Sequence, residues 1–247
     1  ELAALPPMLS DLNIASAANL TDDGLQFLPK SLQHLNLSGN KNVGHLGVKV
    51  LPQCLLSLNL SSTGNLWDMS VRSLPRSITS LILASNKQLT DASIRDLPTS
   101  LTELNLAANK NLTDGCVRFL PASLKILNLF SNCHFTDSCV RQFPRSLIEL
   151  NLSSNENMTD ACAADLPRSL KILYLRKSTN FSDSCVKYLP RSITHLDLTA
   201  AYGLTDDCIS DMPTSLITLE LWKNKNLSQD KLRARLPSMR VLALNVE

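Results

Sequence analysis

Residues 98–120, PTSLTELNLAANKNLTDGCVRFL, decide how this chain is read, because a shift of 23 residues in either direction lands on a close copy of them. The column of Leu101 shows the register: it recurs as Leu9, Leu32, Leu55, Ile78, Leu124, Leu147, Leu170, Ile193, Leu216 and Met239 with no slip. Self-similarity at a fixed period of this size marks a solenoid, in which each unit buries its apolar face against its neighbours. A solenoid grows by adding units, so residues 1–247 are expected to form a single domain of about ten 23-residue repeats.

Within one unit the alternation around Leu104-Asn105-Leu106 has the period of a short strand, with Leu101, Leu104 and Leu106 pointing inward. Leu112 returns to the core, and Thr113-Asp114 opens a short helix as N-cap and first-turn acid. Cys116, Val117 and Leu120 then share a helical face, and Pro121, which has no N–H to donate, ends the helix.

The complete unit is LPxSLxxLxLxxNxxLTDxxVxx, and its LxxLxLxxN core resembles the leucine-rich repeat over essentially all 247 residues. Its LPxSLxxLxLSxN half resembles the repeats of secreted bacterial effectors. Its LTDxCVxxL half resembles the cysteine-containing repeats of F-box adaptor proteins. The resemblance implies an α/β solenoid, curved, with a parallel sheet on the concave face and short helices on the convex face. It also implies that Asn109 and its counterparts Asn40, Asn86, Asn132, Asn155 and Asn224 bond neighbouring backbone at the turn after the strand. Ala17, Thr63, Ser178 and Ala201 interrupt that column. Looser turns are expected there, because an unpaired buried backbone group costs about 1–3 kcal/mol.

The chain opens inside a repeat, since Leu2 and Leu5 match Leu25 and Leu28, and it ends one strand after the last helix, with Met239, Leu242 and Leu244 still in frame. Neither end carries a distinct polar cap, which suggests a fragment of a longer protein. With 24 basic and 22 acidic residues the net charge is +2, too small for a field that would attract nucleic acid or a membrane surface. No apolar run approaches the roughly 20 residues a membrane span needs. Five of the seven cysteines, Cys116, Cys139, Cys162, Cys185 and Cys208, fall in one column and read as a buried ladder of free thiols. Eight N-x-S/T sequons occur, but Asn36, Asn59 and Asn151 would place glycans in the middle of the sheet, so the sequons read as by-products of the repeat consensus. Thiols and sequons together favour a reducing cytosol, that of a host cell if the protein is a secreted effector.

No catalytic constellation is visible. A basic stripe, Arg72, Arg95, Arg118, Arg141 and Lys187, is preceded four residues earlier by Asp68, Asp91, Asp114, Asp137 and Asp183, the favourable order for helix ion pairs. Cys133-His134 is the one adjacent thiol and imidazole, and no third group is identifiable that would orient it. The histidines His34, His45, His134 and His195 lack zinc-ligand spacing, so neither a metal nor another cofactor is expected.

The outward face of the strands is what varies. After LxL the residues are Ala15, Ser38, Ser61, Ala84 and Ala107, then Phe130, Ser153, Arg176, Thr199 and Trp222. Between the leucines, asparagines give way to Tyr174, Asp197 and Glu220; neighbouring columns add Ile126, Ile172 and His195 on one side and Lys177 and Lys223 on the other. Aromatic residues are 4% of the chain, so three of them outward in one half define a partner-binding patch, enriched in the residue types of binding hot spots. The expected function is therefore a non-enzymatic module that binds a protein, rather than a small molecule, on its concave face. The resemblance implies that this module is part of a secreted bacterial effector or, alternatively, the substrate-recognition part of a ubiquitin ligase or F-box-type adaptor.

Overall fold

A three-residue strand has too few hydrogen bonds and too little buried surface to persist alone, so the LxL triplets become strands only when copies of the unit lie side by side. The computed structural model, which describes residues 2–243 apart from the side chain of Leu242, contains this arrangement. The chain falls into two compact units, Glu1–Lys125 and Ile126–Glu247. Leu244, whose frame the repeat extends to, lies outside the described residues, as do Glu1 and Glu247.

In the N-terminal unit β1 (Asp11–Asn13), β2 (His34–Asn36), β3 (Ser57–Asn59), β4 (Ser80–Ile82) and β5 (Glu103–Asn105) pair in parallel in sequence order. Leu12, Leu35, Leu58, Leu81 and Leu104 lie side by side. The C-terminal unit repeats the pattern with β6 (Ile126–Asn128), β7 (Glu149–Asn151), β8 (Ile172–Tyr174), β9 (His195–Asp197), β10 (Thr218–Glu220) and β11 (Val241–Ala243). Register is strict because a one-residue slip would turn every leucine to the solvent side. Asn36, Asn59 and Asn151 do sit on strands.

Between the strands and the short helices runs the core. Leu101, Leu104, Leu106, Leu112, Cys116 and Val117 are buried in one unit. In the other, Phe135 and Phe181 fill the column of Leu112 and Phe143 fills that of Leu120, all three buried. The thiol ladder is buried, and Cys54 and Cys133 are the exposed cysteines.

The turn after each strand passes through the left-handed region at φ between 53° and 66° for Ser16, Ser62, Ser85, Ala108, Ser131, Ser154, Lys177, Ala200 and Lys223. Where Ala17, Thr63, Ser178 and Ala201 interrupt the asparagine column, the residue before each keeps this conformation. The loss falls instead on the next repeat. In an intact step, Asn86 donates Nδ2 to Leu83 O at 2.9 Å, leaving its own N–H for Asn109 Oδ1 at 2.8 Å. Thr63 imitates this with Oγ1 to Leu60 O at 2.7 Å and N to Asn86 Oδ1 at 3.1 Å. Ala201 has no side-chain donor, so its N–H takes Leu198 O at 3.1 Å and the buried Oδ1 of Asn224 is left without a partner.

The helices are one to two turns, and besides Leu2–Ala4 four of them, Asp114–Phe119, Asp137–Gln142, Asp160–Asp165 and Asp206–Asp211, are 3-10 helices. Their threonine N-caps accept from the backbone N two residues on. At Asp68, Asp91, Asp137 and Asp183 the first aspartate of the helix does not pair with the basic residue four places later, as the spacing suggested. It reaches sideways to the next cap: Asp91 accepts from Thr113 N and Oγ1 at 2.8 and 2.6 Å, and Asp137 from Thr159 in the same way. The basic residues find other partners. Arg72 meets Asp96 and Arg141 meets Asp165, one repeat on, while Arg95 and Arg118 both lie over the Phe119 ring at 4.7 and 4.8 Å. A further ladder was not anticipated: the serine of LPxSL donates to two carbonyls of the preceding repeat, as Ser123 does to Thr99 and Leu101.

Candidate functional site

Strand pleating turns alternate side chains to opposite faces, so the leucines that fill the core oblige the residues between them to face outward. In the C-terminal unit this builds a grid from three rows. One runs Ile126, Glu149, Ile172, His195, Thr218, and the next Asn128, Asn151, Tyr174, Asp197, Glu220. The third follows the strand ends as Phe130, Ser153, Arg176, Thr199 and Trp222; its spacing is held by backbone bonds from Ser131 N to Ser153 O, Ser154 N to Arg176 O, Lys177 N to Thr199 O and Ala200 N to Trp222 O.

Most residues of the expected patch are accessible. Phe130 (40%) and Trp222 (45%) are exposed, as are Arg176, Lys177, His195 and Lys223, while Ile126, Ile172, Tyr174 and Glu220 are half-buried. Lys177 and Lys223 occupy the left-handed turn position at φ 55° and 66°. His195 has its Nδ1 at 2.8 Å from Thr194 Oγ1. Asp197 departs from the expectation: it is 3% exposed, because Arg176 comes over it with Nε 3.3 Å from Oδ2 while Oδ1 accepts from Thr199 N at 2.9 Å. Arg176 is further tied down by donating its backbone N to Ser153 Oγ at 3.0 Å.

The patch is also less continuous than its columns imply. Ile126 lies on β6 and Phe130 just beyond its end, and the next segment, β7 with Asn151 and then the fully buried Ser153, lies between them and the rest. What the structure brings together is Tyr174, Arg176, Asp197, Glu220 and Trp222 on three adjacent strand-and-turn segments. Burial raises the phenol pKa of Tyr174, and the carboxylates of Glu149, Glu220 and Asp197 raise it further.

Two contributors were missed from sequence. Glu149 stood in a column noticed only for its apolar and histidine members. Thr199 was visible in its column, but its burial, 6% exposed with Oγ1 lacking a hydrogen-bond partner, was not. Among the described residues no cluster of His, Cys, Asp and Glu could hold a metal ion, and no helix is long and apolar enough to cross a membrane. Cys133 and His134 are exposed.

The family profile described as Leucine Rich repeat matches residues 29–51. No curated protein sequence matches the chain. Among solved structures the chain is similar to the leucine-rich repeat-containing protein LegL7 from Legionella pneumophila, at 19% identity, TM-score 0.57, 98% of this chain and 85% of that one. It is similar to the internalin inlF from Listeria monocytogenes at 18% identity, TM-score 0.66, covering 96% and 74%. A third likeness is to a structure of the Rad7 and Elc1 complex in yeast, at 16% identity, TM-score 0.59, covering 94% and 80%. These likenesses, with the repeat and its strand ladder, show the leucine-rich-repeat fold.

Proposed function

We propose that this leucine-rich-repeat protein is a non-enzymatic module that binds a partner protein on its strand-lined, concave face, through the C-terminal unit. One observation carries the reading: Tyr174, Arg176 and Trp222, residue types enriched at binding hot spots, gather with Asp197 and Glu220 on adjacent outward positions, where core packing requires nothing large. Repeat arrays commonly use this face for binding. The LPxSL half-repeat, which resembles the repeats of secreted bacterial effectors, favours a bacterial factor acting in the cytosol of a host cell. The LTDxCV half-repeat, which resembles the cysteine-containing repeats of F-box adaptor proteins, favours the second reading, the substrate-recognition part of a ubiquitin ligase or F-box-type adaptor.

A photo-crosslinking residue at position 222 tests the shared part of both readings. A discrete crosslinked protein from position 222 and none from position 38 of the N-terminal unit is the expected result. Equal capture from the two positions would exclude the C-terminal site.

A further inference from the structure

We infer that the partner presents an aspartate or glutamate side chain, held between the ammonium groups of Lys177 and Lys223 over Ala200 and beside Trp222. This deepens the binding reading above and rests on it.

The turn after each strand has one left-handed position, and most copies keep it small, as Ser131, Ser154 and Ala200 do. Lys177 and Lys223 depart from that habit at φ 55° and 66°, and both are exposed. Glycine, and at times asparagine or aspartate, visits this conformation readily, so the turn itself gains nothing from a lysine. Backbone bonds from Lys177 N to Thr199 O and from Ala200 N to Trp222 O, both 2.8 Å, fix the three turns in succession. Two strand spacings set the lysine backbones about 9.6 Å apart. Flexible four-carbon stems can close that gap from either side and bring both ammonium groups to one carboxylate. Ala200, between them, is buried and carries only a methyl group.

Charge along this rim has one sign. Residues 175–180, 198–203 and 221–226 hold the cations Arg176, Lys177, Lys223 and Lys225 and no acid. The acids Asp197 and Glu220 stand one row in, on the strands, and Asp197 is already taken by Arg176. Neither Lys177 nor Lys223 forms an ion pair among the described residues. A carboxylate on the partner complements such a rim. Trp222 and Tyr202, both exposed, add rings against which the neighbours of that acidic residue can rest. With a net charge of +2 the chain lacks the wider field that would draw a nucleic acid.

The probes are N-acetyl-glutamate methylamide, its neutral glutamine counterpart and N-acetyl-phosphoserine methylamide, added to the full chain with backbone amides followed by NMR. The glutamate probe is expected to shift the amides of Lys177, Ala200 and Lys223 and to bind about fivefold more tightly than the glutamine probe. Lys177→Gln and Lys223→Gln should each weaken it about threefold, whereas Lys87→Gln, the same charge change on the N-terminal unit, should leave it unchanged. Equal response to glutamate and glutamine, no response at these amides, or equal weakening by Lys87→Gln would each overturn the proposal. So would tighter binding of the phosphoserine probe by about tenfold or more, which would assign the rim to a phosphorylated partner. Crosslinking at position 222 is scored separately. If the probes fail while it still captures a partner, the acidic side chain alone is wrong; if both fail, the binding reading has failed as well.

Discussion

Arg176 Nε lies 3.3 Å from Asp197 Oδ2, and the two members of this pair differ sharply: 54% of the arginine side chain is exposed and 4% of the aspartate side chain. The carboxylate has been desolvated on what would otherwise be an open sheet face. Removing only the cation strands a buried charge, whereas removing both charges does not. Arg176→Met is therefore expected to destabilise the protein by roughly 1–3 kcal/mol, Asp197→Asn by less, and the double variant by about as little as Asp197→Asn. Urea denaturation of the four proteins checks this, and strictly additive single effects would refute the coupling.

Tyr174→Ala and Trp222→Ala are expected to weaken partner binding by about 2 kcal/mol or more each. Trp222→Ala should leave the thermal midpoint nearly unchanged, because the ring is largely exposed; Tyr174→Ala, at a half-buried site, should lower it modestly. Ser38→Arg on the N-terminal unit serves as the control. Calorimetry giving wild-type affinity for both aromatic variants, with loss for Ser38→Arg, would move the site to the other unit.

Burial, aided by neighbouring aspartates, pushes the thiols of Cys116, Cys162 and Cys208 from the ordinary 9.0 up to about 12, and that of Cys185 well above 9.0. Near pH 8 only about one in ten thousand of the first three is thiolate, so a maleimide should label exposed Cys54 and Cys133 first and the ladder only after unfolding. Mass spectrometry of labelled protein reads this directly.

The same shifts set a pH dependence. The folded state keeps thiol protons that the unfolded chain loses above pH 9, so it binds more protons in that range and stability falls as pH rises from 9 towards 12. Each thiol contributes at most about 1.4 kcal/mol per pH unit. Replacing Cys162 by Ala should flatten the fall in midpoint measured by circular dichroism; an unchanged slope would show that other groups dominate.

Ala201→Asn or Ala201→Thr should stabilise the C-terminal unit by about 1 kcal/mol. Either side chain can take Leu198 O and release the backbone N–H of position 201 to Asn224 Oδ1, as Thr63 does for Asn86. An unchanged or lower urea midpoint for both variants would refute this account of the broken ladder.

The 23-residue period, read from a single column of leucines, determined the strands, their parallel register, the inward faces, the helix caps and the buried thiols, because each is a property of one unit repeated. Contacts between units were decided only by the tertiary structure. Sequence spacing paired Asp91 with Arg95, four places along one helix, but stacking places Thr113 of the next repeat nearer to that carboxylate. The outward columns likewise announced Tyr174, Arg176 and Trp222, yet offered no sign that Asp197 would be buried beneath Arg176, that Thr199 would lose its hydroxyl partner, or that Ser153 would separate Phe130 from the rest. Burial of an outward residue depends on the size and reach of side chains 23 residues away in either direction, which a repeat pattern orders in sequence but only packing brings into contact.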